Sequence, residues 1–120
     1  MLQLARRDLH ALINMTDPER FDDSVFGFHA QQTVEKALKA WLSLMGVAYP
    51  KTHEIRLLFR LLEVAGVAVD ESYHELADLT DFAVDYRYDL LEYVPLDRVA
   101  ILHRVGQFVT LVEGIVKDIE

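Results

Sequence analysis

The chain has no cysteine, and that absence removes disulfides, thiolate nucleophiles and cysteine-type zinc sites while fitting a reducing, cytoplasmic setting. Cations are scarce as well: 12 Lys and Arg stand against 20 Asp and Glu, for a net charge of −8. A protein that coats nucleic acid by neutralising phosphates needs a clustered excess of positive charge, so only a small local basic patch remains open. No His-x-x-x-His pair and no carboxylate spacing specifies a metal, so neither metal nor cofactor is expected. Glycine-rich phosphate loops, nucleophile elbows and paired-carboxylate signatures are missing too. The opening residues MLQLARRDLH place charge where a signal peptide needs an uninterrupted apolar stretch. No apolar run approaches the length of a membrane span. These absences lead to the expectation of a cytoplasmic protein without membrane contact.

What is present suits one helical domain over residues 1–120. At 120 residues, with 52% hydrophobic and 27% charged side chains, the chain can bury a single core and is too apolar to be disordered. Its organising stretch is Phe28 to Leu42, FHAQQTVEKALKAWL. At about 100° per residue, Ala30, Val34, Ala37, Leu38, Trp41 and Met45 fall on one side, and Gln32, Glu35, Lys36 and Lys39 on the other. Gln31 breaks the pattern, since it projects about 20° from Leu38 and Leu42, pointing an amide into apolar surroundings. A buried amide must find partners.

Along the chain, Leu2, Ala5, Leu9, Leu12 and Ile13 predict a first helix to about Met15, stopped by Thr16, Asp17 and Pro18. Asp22, Asp23 and Ser24 offer cap oxygens to the central helix, which ends at Gly46. Thr52 can cap a third helix that carries His53 in its first turn and stops before Gly66. Asp70 or Ser72 can cap a fourth, running through Leu76, Leu79, Phe82 and Tyr86. Pro95 suits the start of the last. The expected fold is all-α, a five-helix antiparallel up-and-down bundle. The central and last helices have apolar arcs too wide for one bundle to cover, which predicts a homodimer.

The segments FHAQQTVEKALKAWL, THEIRLLFRLL and DYRYDLL together resemble the HEPN domain, from about Leu4 to Ile119. That resemblance implies a small helical protein, commonly homodimeric and often encoded beside a minimal nucleotidyltransferase. It also implies where a ribonuclease site would lie: an Arg followed four to six residues later by a His, cutting RNA without metal. The Arg at that place is Arg87, yet the residues four to seven positions on are Leu91, Glu92, Tyr93 and Val94. An ionised Glu92 would repel phosphate, and an unperturbed Tyr, with a pKa near ~10, donates a proton rather than accepting one. Asp81, Asp85, Asp89 and Glu92 surround Arg87, so a structural Arg paired with carboxylates is the plainer reading.

Arg98 and His103 have the ribonuclease spacing but lie about 140° apart on one helix, and His103 shares a stripe with Thr110 and Lys117 that reads as solvated. His53 and the polar face of the central helix are the other candidates. Lys36 and Lys39 lie one turn apart and could hold a small anion, although Glu35 with Lys39 is equally an ordinary helix pair. The candidate ligand contacts are therefore Arg87, His53, Lys36 and Lys39, with Gln31 as a network residue. Three functions stay open. The first is a nucleotide-binding or regulatory subunit beside a minimal nucleotidyltransferase, without its own catalysis. The second is a metal-independent ribonuclease toxin using Arg87 with Tyr93, Glu92 or another His, in a toxin-antitoxin pair. The third is a structural dimerisation module.

Overall fold

The computed structural model describes residues 1–17, 19–80 and 97–119. Among them are four α-helices, α1 (Leu2–Ile13), α2 (Asp23–Leu44), α3 (Ile55–Val64) and α4 (Arg98–Ile119), and one 3-10 helix, η1 (Glu71–Leu79). No strand occurs among the described residues, so the fold is the expected all-α bundle.

The helix ends follow from local chemistry. Both α2 and α3 close with a left-handed glycine, Gly46 at φ 72° and Gly66 at φ 89°. In each case the two residues past the C-cap bond back to the last turn, Gly46 N–H to Ser43 O and Val47 N–H to Leu42 O, then Gly66 N–H to Glu63 O and Val67 N–H to Leu62 O. That paired pattern satisfies carbonyls the helix itself cannot. Asp97 opens α4 by accepting from the Ala100 N–H at 3.1 Å. Glu54, rather than Thr52, caps α3, and the Thr52 hydroxyl instead accepts from the Glu54 N–H. His53 consequently precedes the helix. Asp70 caps η1 as expected, accepting from the Ser72 N–H. This bond is the main reason its carboxyl sits below the ordinary aspartate pKa. The segment after Asp70 is 3-10 rather than α; Pro95 lies outside the described residues.

Helix directions are fixed by contacts at their ends. The start of α4 meets the end of α1, where Arg98 donates to the carbonyls of Met15 and Asp17. The far part of α4 meets the start of α1 through the Arg6–Glu113 ion pair, whose hydrogen bond raises the Arg6 pKa. Those two helices therefore run antiparallel, whereas α2 and α4 start side by side at Asp23 and Arg98. α2 is the hub that packs on every other described element. Its Phe26, Val34, Leu38 and Leu42 are fully buried with Leu12, Ile55, Leu58, Leu62, Val105 and Phe108, each large side chain contributing about 1.5–3 kcal/mol. Met45, expected in this face, is instead an exposed C-cap.

One further expectation fails. The Arg98–Asp118 helix is long and apolar enough to cross a membrane by length and composition. Its Val105, Phe108, Val109 and Val112 are buried in the shared core, which accounts for the apolarity of that face, while Val99 and Leu111 remain exposed.

Candidate functional site

Gln31, Glu35 and Lys39 recur every four residues and so line one stripe of α2. The stripe faces the segment leading into α3 and makes a buried polar cluster with His53. Glu35 is its centre. One carboxylate oxygen accepts from Lys39 Nζ at 3.2 Å, and the other from Gln31 Nε2 at 3.3 Å and His53 Nδ1 at 2.8 Å. Gln31 Nε2 also donates to the His53 carbonyl at 2.7 Å, and the Lys39 ammonium lies over the Tyr49 ring. The Glu35 side chain is only 5% exposed, whereas that of His53 is 59% exposed.

This geometry bears on two proton positions. Both neighbours of Gln31 Nε2 are acceptors, so the amide cannot be turned over. Among the described residues its buried Oε1 has no donor, and a buried acceptor left so costs about 1–3 kcal/mol. The Glu35 carboxylate, already accepting from Lys39 and Gln31, accepts from His53 Nδ1 in the tautomer that carries its hydrogen there, and Nε2 then has no partner among the described residues. The chemical result is an imidazole oriented by a buried carboxylate, on a cluster whose Glu35 and Lys39 charges cancel. Burying such a group without compensation would be prohibitive.

The other candidate residues are dispersed. Lys36 reaches across to Asp8 of α1 at 2.5 Å, so its ammonium and that of Lys39 are held by different carboxylates and do not converge on one anion. Arg87 and Tyr93, with Asp81, Asp85, Asp89 and Glu92, lie outside the described residues. Arg98 is buried. Its Nε and Nη2 donate to one Asp23 oxygen at 3.0 and 2.7 Å, its Nη1 donates to the two α1-end carbonyls, and its guanidinium lies over Phe26. His103, by contrast, is exposed with Thr110 and Lys117 on the solvated stripe. Arg98 and His103 thus belong to different environments. Among the described residues no group of three or more His, Asp or Glu side chains is placed to hold a metal.

A family model described as the HEPN domain matches residues 1–115. The chain belongs to the HEPN family. No curated protein and no solved structure matches it. Two features of this HEPN chain escaped the sequence reading. Glu35 and Lys39 belong in sequence to the polar face with Gln32 and Lys36, and the signal that places them inside is their four-residue register with the anomalous Gln31. The Asp23–Arg98 pair carried no such signal, because its members are 75 residues apart.

Proposed function

We propose that this HEPN chain acts by contact, as the nucleotide-binding or regulatory subunit beside a minimal nucleotidyltransferase, in the form of a cytoplasmic homodimer. The observation that carries this reading is the fate of Arg98. The Arg-to-His spacing of Arg98 and His103 is taken up structurally, since the guanidinium is spent on Asp23 and two carbonyls. Arg87, where the family resemblance would place a ribonuclease Arg, has no His four to seven residues on. What the buried polar cluster offers outward is His53 Nε2, a group suited to recognition. Exposed Leu4, Ile13, Val99 and Leu111 supply apolar surface for a second copy.

Co-expression with a minimal nucleotidyltransferase from the same genome tests the reading. The expected result is a complex that survives purification and is weakened roughly tenfold or more by His53→Ala, about 1.4 kcal/mol. Light scattering of the free chain should give a dimer mass. The competing ribonuclease reading draws on the same dyad, because a His held by Glu35 can serve in proton transfer. Cleavage of a mixed RNA pool in EDTA, abolished by both Arg87→Ala and His53→Ala, would replace the contact role with catalysis.

A further inference from the structure

We propose that the cleft between α3 and η1, which shares no lining residue with the His53 cluster, is a binding site for a phosphate group. The cleft has a volume of about 220 Å³, small for a whole nucleotide but adequate for a phosphate and part of its sugar. Arg56 and Arg60 stand one turn apart on its α3 side. Arg60 is exposed and has no carboxylate partner among the described residues. Arg56 Nη2 meets Asp78 Oδ1 at 2.7 Å, yet both side chains are mostly in solvent, at 61% and 76% exposure. Such a pair contributes little and yields readily to a better anion.

The opposite wall is His74, stacked on the buried Phe59 with ring centroids 5.0 Å apart and planes 12° from parallel. Stacking fixes the ring and leaves its edge at the cleft. Its Nε2 lies 3.8 Å from Glu63 Oε1, within ion-pair reach for a protonated ring but longer than a hydrogen bond, and it makes no hydrogen bond among the described residues. Glu63 is the one acid in the lining, set against two guanidiniums. Guanidinium forks match phosphate oxygens in pairs, which an ammonium does not. On the α3 wall Arg56 and Arg60 outnumber Glu63, whereas η1 carries Glu71, Glu75 and Asp78, so the site depends on the two guanidiniums and not on a basic approach. Phosphate could arrive on a free nucleotide or on an RNA strand, and the chemistry at the cleft is the same. This site does not rest on the contact role proposed for His53.

Histidine ring NMR on the full chain, at fixed pH and ionic strength, tests it with inorganic phosphate, AMP and an RNA oligonucleotide bearing a 5′-hydroxyl. The expected result is a saturable shift of the His74 resonance that leaves His10 and His103 unmoved. Affinity should fall roughly tenfold or more in Arg60→Gln, which removes one charge-assisted hydrogen-bond donor. Saturation by AMP and not by the oligonucleotide assigns a monoester; saturation by both assigns the backbone phosphate. Asp78→Asn frees Arg56 and should tighten binding by about twofold or more. A shift that is linear in anion, is reproduced by chloride, or persists unchanged in Arg60→Gln overturns the proposal.

Discussion

The Asp23–Arg98 pair offers the sharpest test of how charge is used in this fold. Both side chains are nearly inaccessible, at 8% and 6% exposure. Replacing Asp23 by Ala strands a guanidinium whose remaining acceptors among the described residues are the Met15 and Asp17 carbonyls. Removing one partner of such a buried pair costs about 3–5 kcal/mol. For a domain of this length the thermal midpoint moves about 4 °C per kcal/mol, so a fall of roughly 12–20 °C is expected. Arg98→Met should also destabilise the fold, because it takes two charged donors from the Asp23 carboxylate and releases the Met15 and Asp17 carbonyls.

The combination Asp23→Ala with Arg98→Met removes both charges together. It should be less damaging than the sum of the singles by at least about 2 kcal/mol, because neither partner is left uncompensated. Urea unfolding of the four proteins gives this coupling directly, provided the slope with denaturant stays constant. Single costs below about 1 kcal/mol, the range of exposed pairs, or additivity within about 0.5 kcal/mol, would refute the assignment of Arg98 as a structural residue.

Two further expectations concern the polar groups. Glu35→Ala should destabilise by about 3 kcal/mol or more in urea unfolding because it strands the Lys39 ammonium, whereas Glu35→Gln paired with Lys39→Met should recover most of that loss; equal losses in the two would sink the account of the cluster. At Asp70 the folded carboxyl titrates below the unfolded one, so its contribution is complete above the ordinary aspartate pKa and fades as pH falls through the depressed folded value. The stability difference between the native chain and Asp70→Asn should accordingly be largest near neutral pH and vanish in acid, and a difference that persists or grows in acid would contradict the cap.

The sequence was most legible where one residue determines a local geometry. Gly46 and Gly66 marked helix ends because only a left-handed residue allows the two closing bonds, and Asp70 marked a cap. It was less legible where two periods compete. Tyr73, Leu76 and Leu79 repeat every three residues, the 3-10 period, but Leu76, Leu79 and Phe82 with Tyr86 also satisfy an α-helical spacing, so the pattern alone favours the longer α-helix. The need of Gln31 for partners could be read from its angle on the helix, while the partner, a backbone carbonyl 22 residues away, could not. Side-chain pairing over such separations leaves no periodic trace, which is also why Asp23 and Arg98 read in sequence as a cap oxygen and a candidate site residue.

These two buried clusters share a physical logic. Each puts an α2 carboxylate where hydration is lost and compensates it with a cation: Asp23 draws in Arg98 at the start of α4, and Glu35 holds Lys39 within α2 while reaching His53 ahead of α3. An apolar α2 could slide or rotate against its neighbours at small cost, but a displaced carboxylate here would lose every donor at once. The charges therefore act as registers for α4 and for the approach to α3. One consequence separates the clusters. The first is closed to solvent, with Asp23 and Arg98 both nearly inaccessible, and its part is placement. The second ends in a half-exposed imidazole whose Nδ1 is already committed, so the same bond that locks the chain before α3 also fixes how His53 Nε2 is presented to a partner.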